Sequence, residues 1–138
     1  MNFERYKKTG SFTLSSGKQS QHYYDVKEAM GEPQNLQIMF SELIRSIPDD
    51  VDLFIGLEYG GIPLAVTCSL MTGKPYAILR KHENDHGMRK RIEGYQGKGN
   101  VVLLDDVKTT GLSLKFAKEY LEDHGYNILD VLTIMERE

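Results

Sequence analysis

The sequence predicts a three-layer α/β domain, a central parallel sheet with helices on both faces. Three observations carry this. Short apolar runs at 51–56, 74–79, 101–104 and 126–135 are bounded by turn residues, as buried strands are. Residues 64–71 and 112–121 supply helical segments between them, which gives the strand and helix alternation of a parallel sheet. Two of the strands run straight into glycine-bearing turns, Leu57-Glu-Tyr-Gly-Gly-Ile-Pro63 and Asp105-Asp-Val-Lys-Thr-Thr-Gly111. In open α/β folds that edge of the sheet is where ligands bind.

Composition bounds the rest. The chain has 138 residues and 40% hydrophobic content, enough for a single domain spanning 1–138. A net charge of −3 and a pI near 5.8 argue against a general nucleic-acid binder. Locally the balance differs, because Arg80, Lys81, Arg89, Lys90, Arg91 and Lys98 stand against only Glu83, Asp85 and Glu93. The single Cys68 lies in an apolar run and reads as a buried, inert thiol, with no disulfide scaffold. The first residues lack the apolar core of a signal peptide, and no apolar run nears the roughly 20 residues that cross a bilayer. The expectation is a cytoplasmic protein with no membrane partner.

In chain order, residues 11–26 place two β-prone runs around Ser15-Ser16-Gly17-Lys18, a hairpin outside the strand and helix rhythm. Tyr23 and Tyr24 would face opposite sides of that strand, one packed and one available to a ligand ring. Leu36, Met39, Phe40, Leu43, Ile44 and Ile47 fall on one helix face, with Pro33 at the start. After the first strand and its turn, Gly60 and Gly61 either make a tight bend or let backbone approach a ligand closely, and the second reading is favoured. Residues 80–99 are polar, glycine-bearing and almost without apolar period, so they read as one long loop, an anion-binding lid rather than a solvated linker. Leu112, Phe116, Ala117, Tyr120 and Leu121 then form a helix stripe that Gly125 would end.

The stretch from Asn100 to Ser113 carries the most chemistry. A buried strand delivers Asp105 and Asp106 to the sheet edge, where neither acid is expected in the core. The following turn aims N–H groups at an anion, a phosphate pocket beside a sugar clamp.

With these residues in view, the sequence resembles the type I phosphoribosyltransferases, whose fingerprint is an apolar strand, two acids and a Thr/Gly-rich loop, here Val101 to Gly111. Within that family it is most similar to orotate phosphoribosyltransferases. Phe12-Thr-Leu-Ser-Ser-Gly17, Tyr23-Tyr24-Asp25, Gly60-Gly-Ile-Pro63, Arg80-Lys81, Asp85-His-Gly87 and Ile92-Glu-Gly94 recur in order. The resemblance implies a type I fold with a reduced N-terminal hood at 1–30 and a mobile lid at 80–99. It implies transfer of phosphoribosyl from 5-phosphoribosyl-1-pyrophosphate (PRPP) to orotate, giving orotidine 5′-monophosphate. Mg²⁺ would be held through substrate and water rather than directly by protein, and a homodimer would share its lids.

Residue by residue, the resemblance makes Arg80, Lys81, His86, Asp105 and Asp106 catalytic. Glu58, Tyr59, Gly60 and Gly61 would form the pyrophosphate turn, and Val107, Lys108, Thr109, Thr110, Gly111, Leu112 and Ser113 the 5-phosphate loop. Tyr24, Thr109 and Arg137 would meet orotate, the guanidinium gripping its carboxylate. His22, His82 and His124 read as surface or structural residues without zinc spacing. Two positions depart from the pattern: Ser15 stands where some relatives have lysine before the hairpin Ser-Gly, and Asn84 replaces the lid lysine, an amide in place of a full charge. Transfer to another base, and a non-catalytic PRPP or nucleotide sensor, therefore remain alternatives.

Overall fold

The computed structural model describes residues 3–13, 19–81, 91–108 and 111–136. A short 3-10 turn, Glu4–Tyr6, leads into β1 (Lys7–Thr13), which pairs antiparallel with β2 (Gln19–Tyr24). The expected hairpin is present and begins earlier than its apolar pattern suggested; its connecting residues 14–18 lie outside the described residues. A small helix that periodicity did not reveal follows, α1 (Val26–Met30), capped by the Asp25 carboxylate, which accepts from Glu28 N at 2.9 Å.

The remaining elements are α2 (Pro33–Ile44), β3 (Leu53–Leu57), α3 (Ile62–Thr72), β4 (Tyr76–Leu79), β5 (Ile92–Gly94), β6 (Asn100–Lys108), α4 (Leu112–Asp123) and β7 (Asn127–Glu136). The main sheet has the order β5-β4-β3-β6-β7. β4, β3, β6 and β7 run parallel, as the apolar runs implied, whereas β5 pairs antiparallel with β4 at the edge. This corrects the reading of residues 80–99 as one loop. β5 has three residues and a single buried apolar side chain, Ile92, too little to give a periodic signal. Residues 82–90 of that stretch lie outside the described residues.

Side-chain alternation divides the sheet between two cores. Phe54, Val102 and Leu104 pack with Val26, Met39, Leu43, Leu64 and Cys68 on the face covered by α1, α2 and α3. Leu53, Ile55, Leu57, Val101 and Leu103 pack on the other, beneath Leu114, Ala117 and Leu121 of α4. Burial on both faces is why β3 and β6 read as unbroken apolar runs. Cys68 is wholly buried and its thiol is pushed up to about 11 by desolvation, as an inert thiol should be. The stripe expected on α4 is corrected in part: Leu114 carries the packing, while Leu112 and Phe116 are 48% and 61% exposed. Ile44, assigned to the apolar face of α2, is also exposed. Among the described residues no helix is long and apolar enough to cross a membrane.

Glycine fixes how closely the turn after β3 lies on β6. A Cβ on Gly61 would sit 2.1 Å from the Leu104 carbonyl oxygen, and one on Gly60 would sit 2.2 Å from the Asp106 carboxylate. The spaces these glycines leave open face protein, and the turn packs closely on β6. Gly73, by contrast, caps α3 at φ +78°, and a Cβ there would meet nothing within 4 Å. Gly61→Ala should cost about 3 kcal/mol of stability, because the obstacle is backbone, against about 1–2 kcal/mol for Gly73→Ala. Urea denaturation of the two variants checks the ranking.

Candidate active site

β6 runs past both acids to Lys108, still paired with β7 through Val107 and Lys108. With the Gly60 turn seated on Asp106, this leaves Asp105 and Asp106 only 7% and 6% exposed. Their expected position outside the core is therefore corrected: they are buried, at the carboxyl end of the strand. Burial requires partners, and they have them. Asp105 Oδ1 accepts from Asp106 N at 2.8 Å, Asp106 Oδ1 accepts from Val107 N at 2.9 Å, and Asp106 Oδ2 accepts from Lys27 Nζ at 2.9 Å.

The two acids are not equivalent. Desolvation, reinforced by the hydrogen bond and negative charge of Asp106, pushes Asp105 up to about 7, against the lowering pull of the Asp106 N–H and of Lys81. Asp106 has the ammonium of Lys27 beside it. Such a pair places one carboxyl near its titration point at neutral pH.

The Glu58–Gly61 turn leaves the neighbouring strand β3, and its Glu58–Tyr59 peptide is cis. Glu58 N donates to Leu79 O at 2.9 Å, and Glu58 Oε2 accepts from Lys81 N at 3.0 Å. The turn is thus tied to the end of β4, which leads into Arg80 and Lys81. Arg80 N donates to Arg91 O at 2.8 Å, and the Arg91 guanidinium donates to Lys81 O and lies over the Tyr120 ring. A cavity of about 480 Å³ is bordered by Arg80, Lys81, Arg91 and Ser113. Arg80 Nε and Arg91 Nε are buried without a hydrogen-bond partner among the described residues. Cationic groups from the end of β4 and the start of β5 thus meet beside α4, on one side of the sheet edge.

Beyond the acids in the chain, Gly111 adopts φ +82° and starts α4 without a side-chain cap. Lys115 N donates to Gly111 O at 2.9 Å, which closes the first turn of that helix. The N–H groups of a first helical turn point outward along the axis, at the positive end of the dipole, and this arrangement suits a phosphate. Lys108 is exposed just before this turn.

The described contacts of Tyr24 lie within the N-terminal segment. Its hydroxyl donates to Glu4 Oε1 at 3.2 Å and Lys7 Nζ lies 6.0 Å from its ring, contacts internal to the N-terminal hood. His86, Thr109, Thr110 and Arg137 lie outside the described residues, as do Ser15 and Asn84. Sequence reasoning missed Lys27, which is distant in sequence from the acid it pairs with and belongs to a helix too short to announce itself. Among the described residues no group of three or more His, Cys, Asp or Glu side chains could hold a metal ion.

The raised Asp105 acts on stability with a definite sign. A carboxyl that binds its proton more tightly when folded loses stability as pH rises from the unfolded value, about 4, through about 7. Asp105→Asn removes that loss while keeping an oxygen to accept from Asp106 N. Its Tm relative to the parent chain should therefore improve steadily from about pH 5 to about pH 8, as read by thermal melts across that range; a Tm difference independent of pH would contradict the assignment.

Residues 22–138 match the family model described as the phosphoribosyl transferase domain. The orotate phosphoribosyltransferase of Methanopyrus kandleri is 40% identical over 131 residues, which cover 95% of this chain and 71% of that protein. That of Pyrococcus horikoshii is 39% identical over 136 residues, covering 95% and 73%. Among solved structures, orotate phosphoribosyltransferase from Aeropyrum pernix superposes with a TM-score of 0.78 at 27% identity, covering 96% of this chain and 88% of that one. The Mycobacterium tuberculosis enzyme in complex with PRPP gives 0.75 at 25% identity, covering 97% and 78%. A family fingerprint on a buried strand, the sheet that presents it and relatives alike over nearly the whole chain agree: the chain belongs to the phosphoribosyltransferase family, within its orotate phosphoribosyltransferases.

Proposed function

We propose that this chain transfers the phosphoribosyl group of PRPP to orotate, releasing pyrophosphate and forming orotidine 5′-monophosphate, a step of pyrimidine nucleotide synthesis. The observation that carries the reading is the buried acid pair of β6, set between the β3 turn and the N-terminus of α4, in a chain 40% identical to a named orotate phosphoribosyltransferase.

The division of labour follows from charge. The turn from Val107 through Lys108, Thr109, Thr110, Gly111 and Leu112 to Ser113 takes the 5-phosphate. Asp105 and Asp106 accept from the ribose hydroxyls, and the negative charge of Asp105 favours the cation that develops on the sugar as the C1–O bond breaks. The turn Glu58, Tyr59, Gly60 and Gly61 receives the pyrophosphate. Arg80, Lys81 and His86 offset its growing negative charge, since stabilising that leaving group is the larger electrostatic task. The orotate nitrogen then forms the new bond to C1, with Tyr24, Thr109 and Arg137 as base contacts. Mg²⁺, a hard cation suited to oxygen ligands, would be held through substrate and water. When bound it would neutralise pyrophosphate charge.

The same reading includes a cytoplasmic homodimer in which each lid, drawn from residues 80–99, reaches the neighbouring site; light scattering should give about twice 15.7 kDa. A second reading, a PRPP sensor without turnover, is favoured by one residue, Asn84 in place of the lid lysine. Purified protein with Mg²⁺, PRPP and a panel of pyrimidine and purine bases should consume orotate preferentially and release one pyrophosphate per orotate, read by base absorbance and a pyrophosphate assay. Consumption of a different base would redirect the substrate. PRPP binding without turnover, restored by Asn84→Lys, would favour a degraded enzyme acting as a sensor.

A further inference from the structure

Lys27 lies on α1, after the hood hairpin, and belongs to none of the strand-end turns that build the rest of the site. Its Nζ stands 2.9 Å from Asp106 Oδ2 and 5.6 Å from the centroid of the Tyr59 ring. One side chain thus joins the hood, the ribose acid and the pyrophosphate turn. The Lys27 side chain is 39% exposed and that of Asp106 is 9% exposed, so a half-solvated cation reaches a nearly dry carboxylate. A fully exposed pair would contribute little. Here the acid is buried beside a second acid, Asp105, and the turn at Gly60 presses on its carboxylate.

Geometry then divides the carboxylate of Asp106. An ionised carboxylate has about four acceptor directions. The Val107 N–H occupies one on Oδ1 and the Lys27 ammonium one on Oδ2, which orients the carboxylate and leaves the rest to the Asp105 carboxyl and to hydroxyl donors. Removing the ammonium would take the donor from Oδ2 in a nearly dry site and leave the carboxylate held only through Oδ1. A rotated Asp106 would receive a ribose poorly. We infer that Lys27 is a positioning residue for phosphoribosyl transfer, which offsets the charge of the Asp106 carboxylate and holds it oriented against the Tyr59–Gly60 turn so that it meets the ribose hydroxyls of PRPP. This role rests on the phosphoribosyl-transfer reading above. It also gives the acids different work: Asp106, with its charge offset by Lys27, orients the sugar, and Asp105 supplies charge at C1.

The test compares Lys27→Met, which keeps the aliphatic stem, with Lys27→Arg, which restores the charge. PRPP affinity is measured by calorimetry with Mg²⁺, and steady-state kinetics are measured with PRPP and orotate varied separately. Losing a hydrogen bond to a charged group corresponds to roughly 10–100-fold. Lys27→Met should weaken the Kd and raise the KM for PRPP by about that factor, leave the KM for orotate within about twofold, and be largely rescued in Lys27→Arg. PRPP constants within about threefold of the parent chain in a folded Lys27→Met would overturn the inference. So would equal losses toward PRPP and orotate that arginine does not relieve, the behaviour of a structural prop. Should Lys27→Met fail to fold, Lys27→Gln carries the same comparison. Calorimetry with PRPP needs no base, so a wrong assignment of orotate would show as absent turnover in the parent chain and leave the Lys27 result readable.

Discussion

The structure depends on placing two neighbouring carboxylates, nearly dry, at the end of a central strand. Among the described residues, Asp105 and Asp106 are the only buried charged side chains, in a layer otherwise made of Phe54, Ile55, Leu103 and Leu104. Burying acids is costly unless their oxygens find donors. The backbone beyond them, the extension of β6 along β7 and the reach of Lys27 from α1 all serve that requirement. The cost is not wholly relieved: burial beside Asp106 pushes the Asp105 carboxyl well above the usual carboxylate range. Under the proposed phosphoribosyl transfer, such a group would serve a site that binds a sugar and favours positive charge on it.

The rest of the fold supports that pair. Gly61 lets the β3 turn lie on the Leu104 carbonyl, and Gly60 lets it lie on Asp106, so the turn and the acid pair are held together by close packing. Glu58 extends the connection to the backbone of Lys81 at the end of β4. α4 begins after Gly111, and its Ser113 borders the same cavity as Arg80 and Lys81. Strands β4, β3 and β6 run parallel, so these three turns emerge at the same edge.

Much of this was legible in the sequence, and the parts that were not share a cause. Apolar runs identified β3, β4, β6 and β7 because strands covered by neighbouring layers are apolar over much of their length. The acid pair and its turn were visible because polar residues directly following such a run are unusual. β5 escaped notice because one buried residue, Ile92, has no period, and α1 because five residues make little more than a turn. On α4, Leu112 and Phe116 satisfied the helical spacing as well as Leu114 did, and only the docked sheet decides between two overlapping stripes. Lys27 could not be found by pattern at all, since its pairing with Asp106 spans 79 positions and exists only after the hood packs on β6. The glycines of the β3 turn were located correctly, but their purpose depends on what lies opposite them, which a sequence does not contain.

The most direct measurement is a crystal structure of the protein with Mg²⁺ and PRPP. The 5-phosphate should lie against the turn from Lys108 to Ser113, the ribose hydroxyls on Asp105 and Asp106, and the pyrophosphate against the Glu58–Gly61 turn. A 5-phosphate bound elsewhere, or ribose hydroxyls with no contact to either acid, would contradict this assignment.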